Sequence, residues 1–181
     1  SVKSSDIRVF YVVIKGNGSF DYFSIFTNLL KNILRTVFDR VKDTKELEKL
    51  LPASGKILLI CHINPDGDAV GSQLALYHFF KSKGHDVEML SPNNLQEFLK
   101  WMPGADNIYV FIRERKKCIK LISEARLLIM LDFNQSNRLG EAEKYVAGSD
   151  AKKVLIDHHL EPQNFTDLII SDPAQCSTAE I

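Results

Sequence analysis

Six short apolar runs follow one another in the sequence after residue 55, and segments with helical spacing lie between most of them. The runs are KILLIC, DVEML, NIYVFI, RLLIMLDF, KKVLIDHH and TDLIISD. Runs with so few polar interruptions are typical of strands that are covered on both faces, and parallel strands need a long connection, usually a helix, between them. The alternation therefore predicts an α/β fold, a mainly parallel sheet flanked by helices.

The segments between the runs indicate where helices begin and end. DAVGSQLALYHFFKSKG predicts a helix that ends at Gly84 in the C′ position, and ERKKCIKLISEA and RLGEAEKYVAGSD predict two more. Upstream, apolar residues recur at helical spacing from about Asp21 to Leu51, whereas residues 1–20 show no clean period. We therefore treat residues 1–20 as an uncertain N-terminal extension and residues 21–181 as one domain. The last residues, STAEI, are typical of a helix start, so we expect a longer parent protein.

Composition and charge narrow the function classes. Lys plus Arg and Asp plus Glu each number 23, so no overall basic field indicates a protein that binds long nucleic acids. The three cysteines are far apart and lack zinc-site spacing, which favours free thiols in a reducing compartment. No apolar run reaches the ~20 residues of a membrane span, and we see no cleavage pattern of a signal peptide. We expect a cytoplasmic protein with no membrane partner; an interfacial helix near residues 20–40 is the less favoured alternative.

Aspartate or histidine residues follow four of the apolar runs. They are His62, Asp66 and Asp68 after KILLIC, Asp132 after LLIML, Asp157, His158 and His159 after KVLI, and Asp172 after LIIS. In a parallel sheet the carboxyl ends of the strands meet at one edge, where open α/β sheets place their ligand crevice. We therefore expect these side chains to form one site, although a single strand-end aspartate is more often a helix cap or a turn residue.

Several carboxylates in one crevice need a compensating charge. Two carboxylates about 4 Å apart repel by roughly 4 kcal/mol at an effective dielectric near 20. Protonation or cations relieve this repulsion, and two divalent ions balance four aspartates with neutral histidines. Oxygen and imidazole ligands without thiolate suit manganese, magnesium, iron or zinc, and manganese fits especially well. The sequence thus predicts a two-metal site of the kind that hydrolyses phosphoesters.

Four motifs, HINPDGDAVGS, LDFNQSNRLG, IDHH and ISDPAQCSTAE, occur in the order and approximate spacing of the DHH phosphoesterase superfamily. The chain resembles this superfamily over about residues 45–181. The superfamily includes RecJ exonucleases, cyclic-dinucleotide phosphodiesterases and family II inorganic pyrophosphatases. The chain is most similar to the NrnA-like branch of oligoribonucleases and phosphoadenosine-phosphate phosphatases. The resemblance implies a five-stranded parallel sheet flanked by helices, and a C-terminal DHHA1 substrate domain that this chain lacks.

The resemblance also implies roles for individual residues. The implied ligands of two divalent ions, most simply Mn²⁺ with Mg²⁺ as the alternative, are His62, Asp66, Asp68, Asp132, His158 and Asp172. Asp132 would bridge both ions and is a catalytic residue. His159, the other catalytic residue, would face the scissile phosphate or its nucleophile. Asp157 would orient an imidazole without touching an ion.

Four further residues have two interpretations each. Ser72 is either a first-turn residue or a hydrogen-bond partner of a ligand carboxylate. Arg138 either reaches a substrate phosphate or pairs on the surface with a nearby glutamate. Phe98 and Trp101 are interpreted as packing residues rather than as a platform for base stacking.

The leading functional hypothesis is a two-metal phosphoesterase. It would hydrolyse short oligoribonucleotides, phosphoadenosine phosphate or both through a metal-bridging hydroxide. The alternatives are a family II pyrophosphatase, a cyclic-dinucleotide phosphodiesterase and, in a different class, a non-catalytic nucleotide-binding module. The chain by itself is expected to bind metal with or without turnover. The sequence leaves open whether the protein is a monomer or a homodimer.

Overall fold

A computed structural model describes residues 42–181 of the chain. The predicted extension over residues 1–20 and the part of the helical pattern before residue 42 lie outside the described residues. Residues 42–50 are helical, in agreement with the end of that pattern. No helix in the described part of the chain is long and apolar enough to cross a membrane.

The described residues form six strands and three further α-helices. The strands are β1 Lys56–Cys61, β2 Asp86–Ser91, β3 Ile108–Val110, β4 Ala125–Leu131, β5 Lys152–Asp157 and β6 Leu168–Ser171. The helices are α1 Gly67–Ser82, α2 Arg115–Glu124 and α3 Glu143–Ala147. Short 3₁₀ turns span Glu97–Leu99, Ala105–Asn107, Ser136–Ala142 and Thr178–Glu180.

The six strands form one sheet in the order β3-β2-β1-β4-β5-β6, and every neighbouring pair is parallel. The predicted α/β fold with a parallel sheet flanked by helices is therefore confirmed. The implied number of five strands is wrong by one, because both edges of the sheet are occupied by short strands, β3 of three residues and β6 of four. The strand order reverses between β1 and β4, which is the position where sheets of this type open a crevice at their carboxyl edge.

Side chains on the two faces of the sheet pack into separate cores. Along β1, Ile57 and Leu59 join the core that includes residues of α1, whereas Leu58 and Ile60 join the core that includes residues of α2. All four side chains have no exposed surface. Burial on both faces explains why β1 reads as an unbroken apolar run rather than as an alternating one.

Helix α1 begins and ends as its sequence predicts. Asp66 caps its N-terminus, with the carboxylate accepting hydrogen bonds from the backbone N–H groups of Asp68 and Ala69. Gly84 has a φ of +81°, and the backbone N–H groups of Gly84 and His85 donate to the carbonyls of Lys81 and Phe80. These two bonds are the Schellman motif, in which glycine is favoured because it adopts positive φ without strain.

The helix predicted over RLGEAEKYVAGSD is shorter than expected. Residues Ser136–Ala142 form a 3₁₀ turn, and α3 begins only at Glu143. Gly140 interrupts the turn with φ +56° and ψ −134°, a conformation that continues no helix. A side chain there would also collide with Ile63, since a Cβ atom on Gly140 would lie 2.8 Å from Ile63 Cγ2. This turn therefore packs directly against the loop that follows β1.

Candidate metal centre

The carboxyl ends of β1, β4 and β5 bring histidine and aspartate side chains from three of the four motifs together. Two groups of side chains, each with ligand atoms within 4.8 Å of one another, lie at this edge. One group is His62, Asp66 and Asp132, and the other is Asp132, His158 and His159. Asp132 belongs to both groups, so they form one continuous site.

Asp132 is held in an unusual conformation at the end of β4. Its φ is +69°, in the left-handed region that few residues other than glycine, asparagine and aspartate adopt, and its backbone N–H donates to the carbonyl of Ile156 at 3.0 Å. Strained backbone of this kind is concentrated at functional sites. The result is a carboxylate, 2% exposed, whose Oδ2 faces His62 and whose Oδ1 faces His158.

The first group is organised around the His62 ring, which is almost fully buried directly after β1. Nδ1 lies 2.7 Å from the carbonyl oxygen of Ile63. A carbonyl only accepts hydrogen bonds, so this contact places the hydrogen on Nδ1 and leaves the lone pair on Nε2. The Arg138 guanidinium, 3.1 Å from the same Nδ1, then makes a charge contact and not a hydrogen bond. Nε2 lies 3.7 Å from Asp132 Oδ2. A histidine whose other nitrogen donates to a backbone carbonyl in this way is set up as a metal ligand.

The electrostatics of this pair favour the charged forms. Burial lowers the pKa of His62, but the Asp132 carboxylate and the Ile63 carbonyl raise it, and the net shift is upward. Burial raises the pKa of Asp132, but contacts with His62 and Thr178 lower it, and the net shift is downward. A positive charge beside Asp132 is therefore stabilised in this site.

The second group is organised around His158, the first histidine after β5. Its Nε2 lies 3.5 Å from Asp132 Oδ1 and 3.7 Å from Asp68 Oδ2, and its Nδ1 lies 3.3 Å from the carbonyl oxygen of Gln175. The Nδ1–H group thus points to a backbone acceptor, and Nε2 faces two carboxylates. Asp68 is outside the two compact groups but lies next to the second one.

His159 and Asp157 form a close pair beside the second group. Asp157 has no exposed surface, and its Oδ1 lies 2.6 Å from Nδ1 of His159. The His159 side chain is 48% exposed, so the ring extends from a buried carboxylate toward solvent. The orienting role of Asp157 stays a prediction, and His159 is the imidazole that its carboxylate contacts.

Asp172, like Asp68, is a predicted ligand outside both groups among the described residues. Its Oδ1 accepts from the backbone N–H of Ala174 and its Oδ2 from the Gln175 side chain. The Gln175 carbonyl in turn faces His158, so Asp172 is connected to the site through the Gln175 residue. Accepting hydrogen bonds from the next residues of a turn is a common role of an aspartate that follows a strand.

Ser72 and Arg138 each contact a predicted metal ligand. Ser72 contacts Asp68, and Arg138 contacts His62 instead of a nearby glutamate. The Ser72 hydroxyl donates to Asp68 Oδ1 at 3.2 Å. The Arg138 guanidinium lies 3.1 Å from His62 Nδ1, where its positive charge opposes protonation of the ring. Of the two nearby glutamates, Glu141 pairs with Arg115 and Glu143 accepts from Ser136.

Phe98 and Trp101 are not packing residues. Their side chains are 63% and 78% exposed, in and just after the turn Glu97–Leu99. The packing is done by their neighbours, since Leu99 and Met102 lie against Gly67 and Gly71 of α1. Helical spacing in the sequence could not distinguish the exposed face of this short turn from the buried one.

Thr178 contacts two predicted metal ligands, which the sequence did not predict. Its hydroxyl donates to Asp132 Oδ1 at 2.8 Å, and its backbone N–H donates to Asp68 Oδ2 at 2.8 Å. The residues STAE belong to the fourth motif and to a predicted helix start, and neither interpretation assigns a role to Thr178. A signal was present, because a threonine beside four strand-end motifs offers the hydroxyl donor that clustered carboxylates need.

The donor set fits divalent cations. The distances of 3.5–3.7 Å between the imidazole nitrogens and the carboxylate oxygens are too long for hydrogen bonds. They match two ligands of one ion, which lie about 3–4 Å apart when each is about 2.1 Å from the metal. The ligand atoms are oxygen and imidazole nitrogen, the set that suits manganese, magnesium, iron or zinc.

Known proteins resemble this chain in sequence and structure. The profile of the DHH family, N-terminal domain, matches residues 56–181. The bifunctional oligoribonuclease and PAP phosphatase NrnA of Thermus thermophilus is 27% identical over 136 residues, which are 74% of this chain and 37% of that protein. The cyclic-di-AMP phosphodiesterase GdpP of Geobacillus thermodenitrificans is 27% identical over 179 residues, which are 94% of this chain and 27% of that protein.

A solved structure shows the same fold. The exopolyphosphatase-related protein from Bacteroides fragilis is 42% identical and superimposes with a TM-score of 0.73, over 75% of this chain and 40% of that one. The chain thus spans no more than 40% of the length of any of these three proteins. The resemblance to the DHH superfamily, with its similarity to NrnA, is confirmed. Because the family profile covers more than half of its residues, the chain belongs to the DHH family.

Proposed function

We propose that the protein is a two-metal phosphoesterase that hydrolyses short oligoribonucleotides, phosphoadenosine phosphate or both. The observation that carries this proposal is the position of Asp132, whose two oxygens face His62 on one side and His158 on the other. A carboxylate between two imidazole-containing groups is the arrangement expected of a ligand that two ions share.

The residues divide between the two ions in the proposal. His62, Asp66 and Asp132 would hold one ion, and Asp132, His158 and Asp68 would hold the other. Asp66 also caps α1 through its Oδ1, so the helix fixes where this carboxylate lies. Asp172 would be a further ligand of the second ion only if its turn opens, because both oxygens now hold that turn together. Manganese is the proposed metal, with magnesium as the alternative.

His159 is the proposed catalytic residue of this chain beside the metal ligands. When bound, the ions supply Lewis acidity and a nucleophilic hydroxide at neutral pH. In its imidazolium form His159 would donate a hydrogen bond from Nε2 to a phosphoryl oxygen or to the leaving group, because Asp157 accepts the Nδ1 hydrogen and leaves Nε2 for the substrate. Arg138, exposed beside His62, would attract the negative charge of the substrate.

The choice of substrate follows from the names of the relatives. The NrnA proteins are named for oligoribonuclease and PAP phosphatase activity, and GdpP is named as a cyclic-di-AMP phosphodiesterase. Both names describe attack on a phosphoester of a nucleotide, which supports a nucleotide substrate for this protein. Cyclic dinucleotide hydrolysis is the second candidate, since the match to GdpP extends over 94% of this chain.

A substrate panel tests the proposal. The protein is incubated with Mn²⁺ and with a diribonucleotide, phosphoadenosine phosphate, cyclic-di-AMP or pyrophosphate. We expect turnover of the diribonucleotide or phosphoadenosine phosphate at rates well above those for the other two. Preferential turnover of pyrophosphate, or binding of nucleotides with no turnover of any substrate, would contradict the proposal in favour of a pyrophosphatase or a binding module.

The proposed location is a reducing compartment, the cytoplasm. The support is that none of the three cysteines forms a disulfide and that Cys61 and Cys118 are fully buried as thiols.

A further inference from the structure

Thr178 begins the 3₁₀ turn Thr178–Glu180, in the last of the four motifs. Its side chain is polar, yet the residue is only 4% exposed. A hydroxyl that is buried at this edge of the sheet requires a hydrogen-bond partner, and the partner identifies what the residue does.

The hydroxyl donates to the carboxylate that both groups of side chains share. Thr178 Oγ1 lies 2.8 Å from Asp132 Oδ1, and both atoms are buried. A hydroxyl has a single hydrogen, so this donor is committed to Asp132. Asp132 Oδ1 is also the oxygen that faces His158, and a carboxylate oxygen that accepts one hydrogen bond still has a second lone pair. The bond therefore fixes the plane of the carboxylate while leaving Oδ1 able to act as a ligand.

The backbone of the same turn holds a second carboxylate. The N–H of Thr178 donates to Asp68 Oδ2 at 2.8 Å, and the N–H of Ala179 donates to Asp68 Oδ1 at 3.2 Å. Asp68 and Asp132 are thus attached to one residue, although Asp68 precedes it by 110 positions. Two carboxylates that face the same His158 nitrogen repel each other, and three N–H or O–H donors at one turn reduce that repulsion.

We infer that Thr178 is a positioning residue of the metal centre, which sets the orientation of Asp132 and its distance from Asp68. This inference rests on the proposed function, because it assigns these two carboxylates to the second ion. Thr178 touches neither substrate nor ion and acts through the two carboxylates.

The hydroxyl and the methyl group of Thr178 can be separated by substitution. Thr178→Val keeps the shape and removes the donor, whereas Thr178→Ser keeps the donor and removes the methyl group. Thr166→Val is the matched control, because the Thr166 hydroxyl also donates a hydrogen bond, to the carbonyl of Leu168. This bond lies at the start of β6, and the site lies at the carboxyl ends of the strands. If Thr178→Val does not fold by circular dichroism, Thr178→Ala replaces it.

The test is the binding of Mn²⁺ to each protein, measured by calorimetry and by electron paramagnetic resonance without substrate. We expect Thr178→Val to weaken binding of one of two ions about 10- to 100-fold, the usual effect of losing a group that orients a ligand. Thr178→Ser should retain most of the wild-type affinity, and Thr166→Val should bind as the wild type does.

Each outcome decides between the inference and its premise. If the wild type binds Mn²⁺ and Thr178→Val binds it with the same affinity, the inference is overturned and the proposed function stays intact. An equal loss in the Val and Ser variants also overturns it, since the hydroxyl would then not be the cause. A wild-type protein that takes up no Mn²⁺ contradicts the proposed function, and the inference is overturned with it.

Discussion

Nδ1 of His159 lies 2.6 Å from Oδ1 of Asp157, a carboxylate with no exposed surface. The other oxygen, Oδ2, has no hydrogen-bond partner among the described residues, so the imidazole is the main compensation for this buried charge. Asp157→Asn keeps an acceptor for the Nδ1–H and removes the charge. We expect kcat to fall about 10- to 100-fold, with little change in Mn²⁺ affinity, because His159 is assigned to the substrate.

The affinity measurement separates two roles of His159. Its nitrogen is close enough to Asp132 and His158 to act as a third ligand of an ion. A drop in Mn²⁺ affinity of Asp157→Asn as large as the drop in kcat would show that His159 binds metal and that the assignment to the substrate is wrong.

Gly140 is predicted to be intolerant of any side chain. Its φ of +56° and ψ of −134° belong to glycine, and a Cβ atom there would lie 2.8 Å from Ile63 Cγ2. Gly140→Ala should lower the free energy of unfolding by about 1–3 kcal/mol, the usual cost of a strained backbone, as measured by urea denaturation. The control is Gly71→Ala in α1, where the nearest atom, Met102 Cε, is 3.9 Å from the added Cβ. A Gly140 variant as stable as the Gly71 variant would contradict the fold around the β1 loop.

The three cysteines are predicted to differ sharply in reactivity. Burial raises the pKa of Cys61 to about 12 and that of Cys118 to about 11. Cys176 is exposed. The native protein should therefore react with one equivalent of a thiol reagent such as DTNB, and with three after denaturation. Rapid reaction of more than one thiol in the native protein would show that the sheet is less well packed than described.

The metal-free protein is predicted to lose stability as the pH rises past the pKa of His62. The raised pKa of His62 gives stability that is complete below about pH 6.5, its ordinary value, and disappears as the pH passes the higher folded value. The lowered pKa of Asp132 gives stability that is present above about pH 3.8 and disappears at lower pH, below its folded value. The pair therefore contributes most between about pH 4 and pH 6.5.

Asp132→Asn measures this contribution. Asparagine tolerates the positive φ at this position, so the substitution changes the charge with little backbone strain. In the presence of a chelator, the loss of unfolding free energy caused by Asp132→Asn should be larger near pH 6 than near pH 8.5. An equal loss at both pH values would contradict the assignment of the His62–Asp132 pair.

The sheet and most of the site were predictable because their signals are local. An unbroken apolar run such as KILLIC requires two covered faces, and the residue after such a run must lie at the carboxyl edge of a parallel sheet. That reasoning brings His62, Asp132 and His158 to one place without knowledge of a single contact. The same reasoning applies to Asp172, but its turn directs both oxygens to neighbouring residues, which strand position alone does not determine.

Other features depend on contacts between distant residues and have no local signal. The conformation of Gly140 follows from the close approach of Ile63, which lies 77 positions earlier in the chain. The bond between Thr178 and Asp132 joins residues of two motifs that lie 46 positions apart in the chain. Phe98 and Trp101 are exposed because their neighbours Leu99 and Met102 pack on the glycines of α1. The spacing of apolar residues in the sequence does not show which of these side chains face α1.

The central claim is that side chains from separate strand ends form one centre that binds two divalent ions. The most direct test is calorimetric titration with Mn²⁺ of three metal-free proteins: the wild type, Asp132→Asn and Asp150→Asn. Asp150 serves as the control because it is an exposed aspartate just before the start of β5, away from the carboxyl ends of the strands. We predict two ions per chain for the wild type and for Asp150→Asn, and for Asp132→Asn the loss of at least one ion together with weaker binding of the other. Uptake of no Mn²⁺ by the wild type, or the same uptake by all three proteins, would contradict the claim.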